Sequence, residues 1–203
     1  MSQVSLLKSI AETGYNVGFG GRKHWATYDI VEKIPGLIGF IGTAIGIFSL
    51  VYDSLSAKDV SAALAVLGVM GIYISVYDSK KSDYEKSAVE ITKIFNGLRD
   101  LYREVEALAP NADFSLYRAR LAAFESQYYD ASISKQILFS DWYAHYKFFW
   151  QYQIDWIANQ KTFSFWRDKV PLTGWLATAA IIVSIISCFA LQFDSVKSCF
   201  GIA

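Results

Sequence analysis

The sequence predicts an all-α integral membrane protein: an N-terminal transmembrane hairpin, a helical region outside the bilayer and a third, C-terminal transmembrane helix. Three observations carry this prediction. No charged residue occurs in residues 34–52, 60–77 or 170–193, which are windows of 19, 18 and 24 residues. At ~1.5 Å rise per residue such windows make helices of roughly 27 to 36 Å, against a hydrocarbon core of about 30 Å. The connection between the first two windows, residues 53–59, is so short that their helices must run antiparallel. In the third window apolar residues occupy every face, whereas a surface helix of a soluble domain keeps a polar stripe.

The boundaries follow from the same pattern. Residues 1–33 form a cytosolic or interfacial segment, 34–77 the hairpin, 78–169 a cytosolic helical region, 170–193 the third span and 194–203 an external tail. In the first segment Ser5, Leu6, Leu7 and Ile10 suggest a short interfacial helix, residues 14–21 a glycine-rich flexible break, and Pro35 the start of the span. Charged residues from Lys8 to Lys33 precede the first apolar run, so it is read as a retained span and not as a cleaved leader. Asp59 is expected to cap the second helix.

Beyond the hairpin, Ile91, Ile94, Leu98, Leu101, Val105 and Leu108 recur at 3-4-3-4-3 spacing and define one apolar seam. The seam suits packing within the chain or a coiled-coil contact between subunits. Pro110 and Asn111 end it. Asp113 is placed to cap a second helical run, with Phe114, Leu121, Phe124, Tyr128, Ile133 and Ile137 inward and Arg118, Arg120 and Glu125 wet. From Phe139 to Trp166 aromatic residues crowd together, including Trp142, Tyr146, Phe148, Trp150, Trp156 and Phe165. Such rings suit either headgroup depth beside the third span or an aromatic core.

Formal net charge is zero, which gives no global field to attract a nucleic acid polymer. The cations are unevenly placed, however. Arg22, Lys23 and Lys33, then Lys80, Lys81 and Lys86, then Lys161, Arg167 and Lys169 flank span ends on one side, against Lys58 and Lys197 on the other. The positive-inside rule therefore puts the N-terminus and central region in the cytoplasm of a bacterial cell, and the 53–59 turn and C-terminus outside the inner membrane.

Catalytic chemistry is hard to place on this chain, and no enzyme is predicted. His24 and His145 have no ligand spacing to each other or to Cys188 and Cys199, and both histidines are read as interfacial polar residues; no catalytic group, metal or cofactor is expected. The glycines before Arg22 and Lys23 lack a preceding strand and the spacing of a nucleotide loop, so contact with anionic lipid is the reading there. The spans also lack Asp, Glu, Lys, Arg and His, which argues against a proton relay or voltage sensor. They hold small residues instead: Gly36, Gly39, Gly42, Thr43 and Gly46 in the first, Gly68 and Gly71 in the second. Gly42 and Gly46, four apart, let helix backbones approach, either inside the hairpin or between protomers of a homo-oligomer.

Arg22, Lys23, His24 and Trp25 before a hairpin, the glycine-rich first span, the short turn, and Ser82 to Ala88 leading into an amphipathic helix together resemble the SLATT-domain family over residues 10–110. These are bacterial two-span effectors associated with nucleotide-signalling and other phage-defence systems. The resemblance implies a hairpin that oligomerises into a membrane-damaging pore once an upstream sensor protein or nucleotide signal triggers it. The third span departs from that pattern. The other function consistent with the residues is a non-conducting anchor or assembly subunit that recruits a soluble partner.

Overall fold

A computed structural model describes residues 2–152, 154–164 and 168–200. Every regular element among them is helical: α1 (Gln3–Phe48), α2 (Lys58–Ser75), α3 (Lys81–Glu106), α4 (Ser115–Ala131), α5 (Ser140–Gln151), α6 (Asp155–Ala158) and α7 (Leu172–Phe200). Short 3-10 turns at Asp53–Ser56 and Asp78–Lys80 separate the first three. The chain divides into two compact units, Met1–Thr162 and Phe163–Ala203.

At 46 residues, α1 is about 70 Å long, more than twice the hydrocarbon thickness. Its burial changes at one point. Leu6, Ile10, Val17, Ala26 and Val31 are buried, while beyond Glu32 most side chains of α1 are exposed. The N-terminal part thus belongs to a packed helical domain and the C-terminal part projects from it.

The expected flexible break at residues 14–21 is absent, because α1 runs through it without interruption. Close approach explains the glycines. A Cβ on Gly18 would come within 2.6 Å of the Phe95 ring and 2.9 Å of the Phe148 ring. Likewise Gly14 lies against Trp156 and Gly20 against Tyr128, with no room for a methyl group. Pro35 stands inside the continuous α1, near the start of its exposed portion, where it removes one backbone donor.

α3 folds back along the buried half of α1, and the seam lies between them. Ile91, Leu98, Leu101 and Val105 are fully buried and Ile94 nearly so, while Leu108 is half-buried past the helix end. Gln3 fixes the far end of this pair by donating to the carbonyls of Val105 and Leu108, each at 2.8 Å. Val105 lies in the last turn of α3 and Leu108 just past its end, so the Gln3 side chain adds donors to carbonyls at the helix C-terminus. At the near end Lys81 of α3 meets Glu32 of α1 at 2.6 Å.

The expectations for Asp59, Asp113, Glu125 and the helical placement of Ile133 and Ile137 are corrected, and the two alternatives for the aromatic run each hold for part of it. The N-cap of α2 is Ala57 with no side-chain bond, and Asp59 sits inside the first turn, where its charge faces the positive end of the helix dipole. Asp113 precedes the capping position of α4 by one residue but accepts the Ser115 N–H at 2.9 Å. α4 stops at Ala131, so Ile133 and Ile137 lie in a loop, and Glu125 accepts from Thr13 Oγ1 at 2.7 Å instead of facing only water. The aromatic run divides: Phe148 and Trp156 are core, whereas Phe139, Trp142, Tyr146 and Trp150 are exposed. Phe165, Trp166 and Arg167 lie outside the described residues, as do residues 201–203 of the expected tail.

In the second unit α7 continues to Phe200, past the expected span end at residue 193. Its apolar stretch among the described residues is Thr173–Ser187, shorter than those of α1 and α2.

Candidate functional site

Packing within the fold does not account for the bare hairpin of α1 and α2. Only 6% of the apolar window of α1 and 11% of that on the α2 side are buried within the chain. Phe40, Ile47, Leu50, Val66, Val69 and Ile72 are all more than half exposed. A soluble fold does not leave two such helices bare, since a contiguous apolar surface of this size is costly in water.

On α2, Val60, Leu64, Leu67, Gly71 and Ile74 are less exposed than their neighbours and recur at 4-3-4-3 spacing, marking the side turned to α1. Among the hairpin glycines Gly71 is the one that meets the partner helix: a Cβ there would stand 3.9 Å from Ile38 Cδ1. The remaining predicted packing glycines are not brought together. At Gly36, Gly39, Gly42, Gly46 and Gly68 a Cβ would meet nothing within 4 Å, so Gly42 and Gly46 do not pack the hairpin. Gly36, Gly39, Thr43 and Gly46 instead form an open stripe on the exposed side of α1. The hydroxyls in these spans bond to their own helices, Thr43 to Gly39 O at 2.8 Å and Ser49 to Gly46 O at 2.7 Å. They need no water or partner to be satisfied in lipid.

Below the hairpin, Val31, Ile74, Tyr77, Tyr84 and Ile137 form a buried cluster that joins both spans to the helical domain. The 132–139 loop is strapped to it by side chains. Tyr84 donates to Lys135 O, and Ser87 to Ala131 O just before the loop. His24, expected at an interface, is buried: its Nδ1–H donates to Gly20 O at 2.7 Å, and Nε2 accepts from the Ile133 N–H at 2.9 Å. Burial holds the imidazole below its ordinary pKa, aided by the charge of Lys23, and this bonding matches the neutral ring. Gln136 completes the group, accepting from Thr27 at 2.5 Å.

A second tie holds α5 on α1. Asp29, 8% exposed, accepts from Lys147 of α5 and from Lys33 at 2.6 Å. Burial pushes its carboxyl upward, but the two ammonium groups outweigh burial and leave its pKa below the usual value. Lys23 pairs with Asp141 at 2.7 Å along the same interface. Neither Asp29 nor His24 stood out in the sequence as structural. The one visible signal was the i, i+4 spacing of Asp29 and Lys33, which says nothing of Lys147.

Among the described residues no group of three or more His, Cys, Asp or Glu is placed to hold a metal. The architecture defines a class: a helical domain carrying a bare apolar two-helix hairpin, which is a membrane protein. A family model described as "SMODS and SLOG-associating 2TM effector domain 6" matches residues 1–183, and the chain belongs to this SLATT family. The match reaches past the hairpin and α3 to α6 into α7, well beyond the 10–110 stretch that the motifs suggested. No curated protein and no solved structure matches the chain. The family description implies a membrane effector role in defence systems.

Proposed function

We propose that this protein is an oligomeric pore-forming or membrane-disrupting effector of bacterial anti-phage defence. The observation that carries the reading is the open small-residue stripe of Gly36, Gly39, Thr43 and Gly46, which its own hairpin leaves uncovered. In lipid, close helix contact is gained from van der Waals packing at such stripes, so the natural cover is the same helix of another copy. The protein sits in the inner membrane with its N-terminus and helical domain cytoplasmic and its C-terminus outside, following the cation asymmetry at span ends. Its action is physical and not catalytic, its partners are the bilayer and further copies, and an upstream sensor protein or nucleotide signal releases it. The α1–α5 ties at Asp29 and Lys23 support a helical domain that restrains the hairpin until then.

The test is dye-reported membrane potential after induction of the parent, Gly39→Leu and Gly46→Leu at equal abundance. The parent depolarises cells and the variants do not, although their spans remain apolar and insert. A parent that stays silent, even beside the neighbouring genes that would activate it, removes the pore and leaves a non-conducting anchor that recruits a soluble partner. Topology has its own test in a background lacking Cys188 and Cys199: a cysteine at Ser56 is labelled from outside intact cells and one at Ser126 is not.

A further inference from the structure

We propose that the junction between hairpin and helical domain is a lipid site, which holds one acyl chain of an anionic phospholipid drawn from the adjacent leaflet. A cavity of about 540 Å³ lies there, walled by Ile30 and Ile34 of α1, Met70 and Tyr73 of α2, and Ile137 and Phe139 of the loop. That volume falls within the ~300–1,000 Å³ of ordinary small-ligand sites. Its lining is apolar, so water gains little by entering it, whereas hydrocarbon fills it without losing a hydrogen bond.

Its depth selects the occupant. Ile34 opens the first uncharged window and Tyr77 closes the second, so the cavity lies where the hydrocarbon meets the headgroups. Val69, which lines the cavity, is 66% exposed and belongs to the bare apolar surface of α2. The third wall is built, not incidental. Phe139 holds φ 67°, an uncommon conformation for an aromatic residue, and the loop is pinned beside it by Leu138 N–H to Tyr73 OH at 3.3 Å and Ser140 N–H to Ile137 O at 3.2 Å.

Charge complementarity favours a phospholipid over a second copy of this apolar surface. The Lys135 ammonium stands 5.3 Å from the ring centroid of Tyr77, which packs in one cluster with Ile74 and Ile137 of the cavity wall. Lys135 thus supplies a cation beside the junction for the phosphate of a lipid whose chain fills the cavity. The proposal rests on the hairpin lying in a bilayer and not on conduction, so a protein that never conducts still tests it.

The experiment places the full-length protein in nanodiscs of phosphatidylethanolamine and phosphatidylglycerol, with a trace of phosphatidylglycerol bearing a photoreactive acyl chain, and maps the label by mass spectrometry. The label concentrates on the 137–139 loop and on Met70 and Tyr73 over the lipid-facing positions Phe40 and Ile47. Met70→Trp fills the cavity and loses the loop label while keeping that at Phe40, which also reports a folded hairpin. The same photoreactive chain on phosphatidylcholine labels the loop less, and Lys135→Gln narrows the difference without touching the cavity wall. Label spread evenly over the hairpin and indifferent to Met70→Trp, as a cavity covered by a second copy gives, overturns the proposal. Equal loop labelling by the two headgroups overturns it as well.

Discussion

The six-membered ring of Trp156 lies directly on Gly14, so close that a methyl group at position 14 has no place to go. The contact ties α6, four residues long, to the buried N-terminal part of α1. Phe95 and Tyr102 of α3 pack on the same indole with centroids at 5.6 and 5.4 Å. Gly14→Val therefore displaces the ring and lowers stability by about 1–3 kcal/mol. Trp156→Ala, which leaves a cavity, costs about 3–5 kcal/mol. Thermal unfolding of the detergent-solubilised protein checks both, and equal stability of Gly14→Val and parent would contradict the packing.

Asp29 and Lys147 form a pair whose side chains are only 11% and 14% exposed. Lys147→Met leaves the Asp29 carboxylate with Lys33 as its remaining partner, so it is expected to destabilise the α1–α5 interface by about 1–3 kcal/mol. Lys33→Met leaves Lys147 in place and costs less, because the Lys33 side chain is largely exposed. Hydrogen exchange of α5 amides measures the difference: Lys147→Met loosens α5 more than Lys33→Met does.

What the sequence made legible was set by period and charge. Uninterrupted apolar windows and the seam of Ile91, Ile94, Leu98, Leu101 and Val105 are one-dimensional signals, and they locate α1, α2 and α3. The glycines between residues 14 and 21 were misread because glycine has two physical uses, conformational freedom and absence of a side chain. Only the position of Phe95, Phe148, Trp156 and Tyr128 decides that the second applies here. His24 and Lys147 act through partners more than 100 residues away in the chain, and no local pattern encodes such a distance.

His24 gives the helical domain a defined pH response. Its folded pKa is depressed below the ordinary 6.5 by burial, with Lys23 adding to the effect and Tyr84 packed alongside. The unfolded chain therefore binds the imidazole proton first as pH falls. Stability from the neutral ring is full above 6.5 and is lost as pH drops from there through the folded pKa. Denaturant midpoints at pH 7.5 and 5.5 are expected to differ more for the parent than for His24→Gln. The variant lowers stability at both values, since the Ile133 N–H loses its imidazole acceptor.

The two faces of the hairpin predict opposite outcomes for one substitution. At Gly71 a Cβ comes to 3.9 Å from Ile38, ordinary contact, so the further atoms of a leucine must push α2 away from α1. At Gly39, on the open stripe of α1, nothing lies within 4 Å and a leucine fits the single chain without strain. Gly71→Leu is therefore expected to perturb the hairpin itself, seen as a lower melting temperature in detergent where the protein is held monomeric by dilution. Gly39→Leu leaves that melting temperature near the parent value. In liposomes the order reverses if Gly36, Gly39, Thr43 and Gly46 form the contact between copies, because a bulky side chain at the stripe blocks close approach of two backbones. Crosslinking in liposomes then shows Gly39→Leu with the greater loss of oligomer. Unchanged crosslinking of Gly39→Leu, with the melting temperature also unchanged, would mean that this face of α1 meets only lipid.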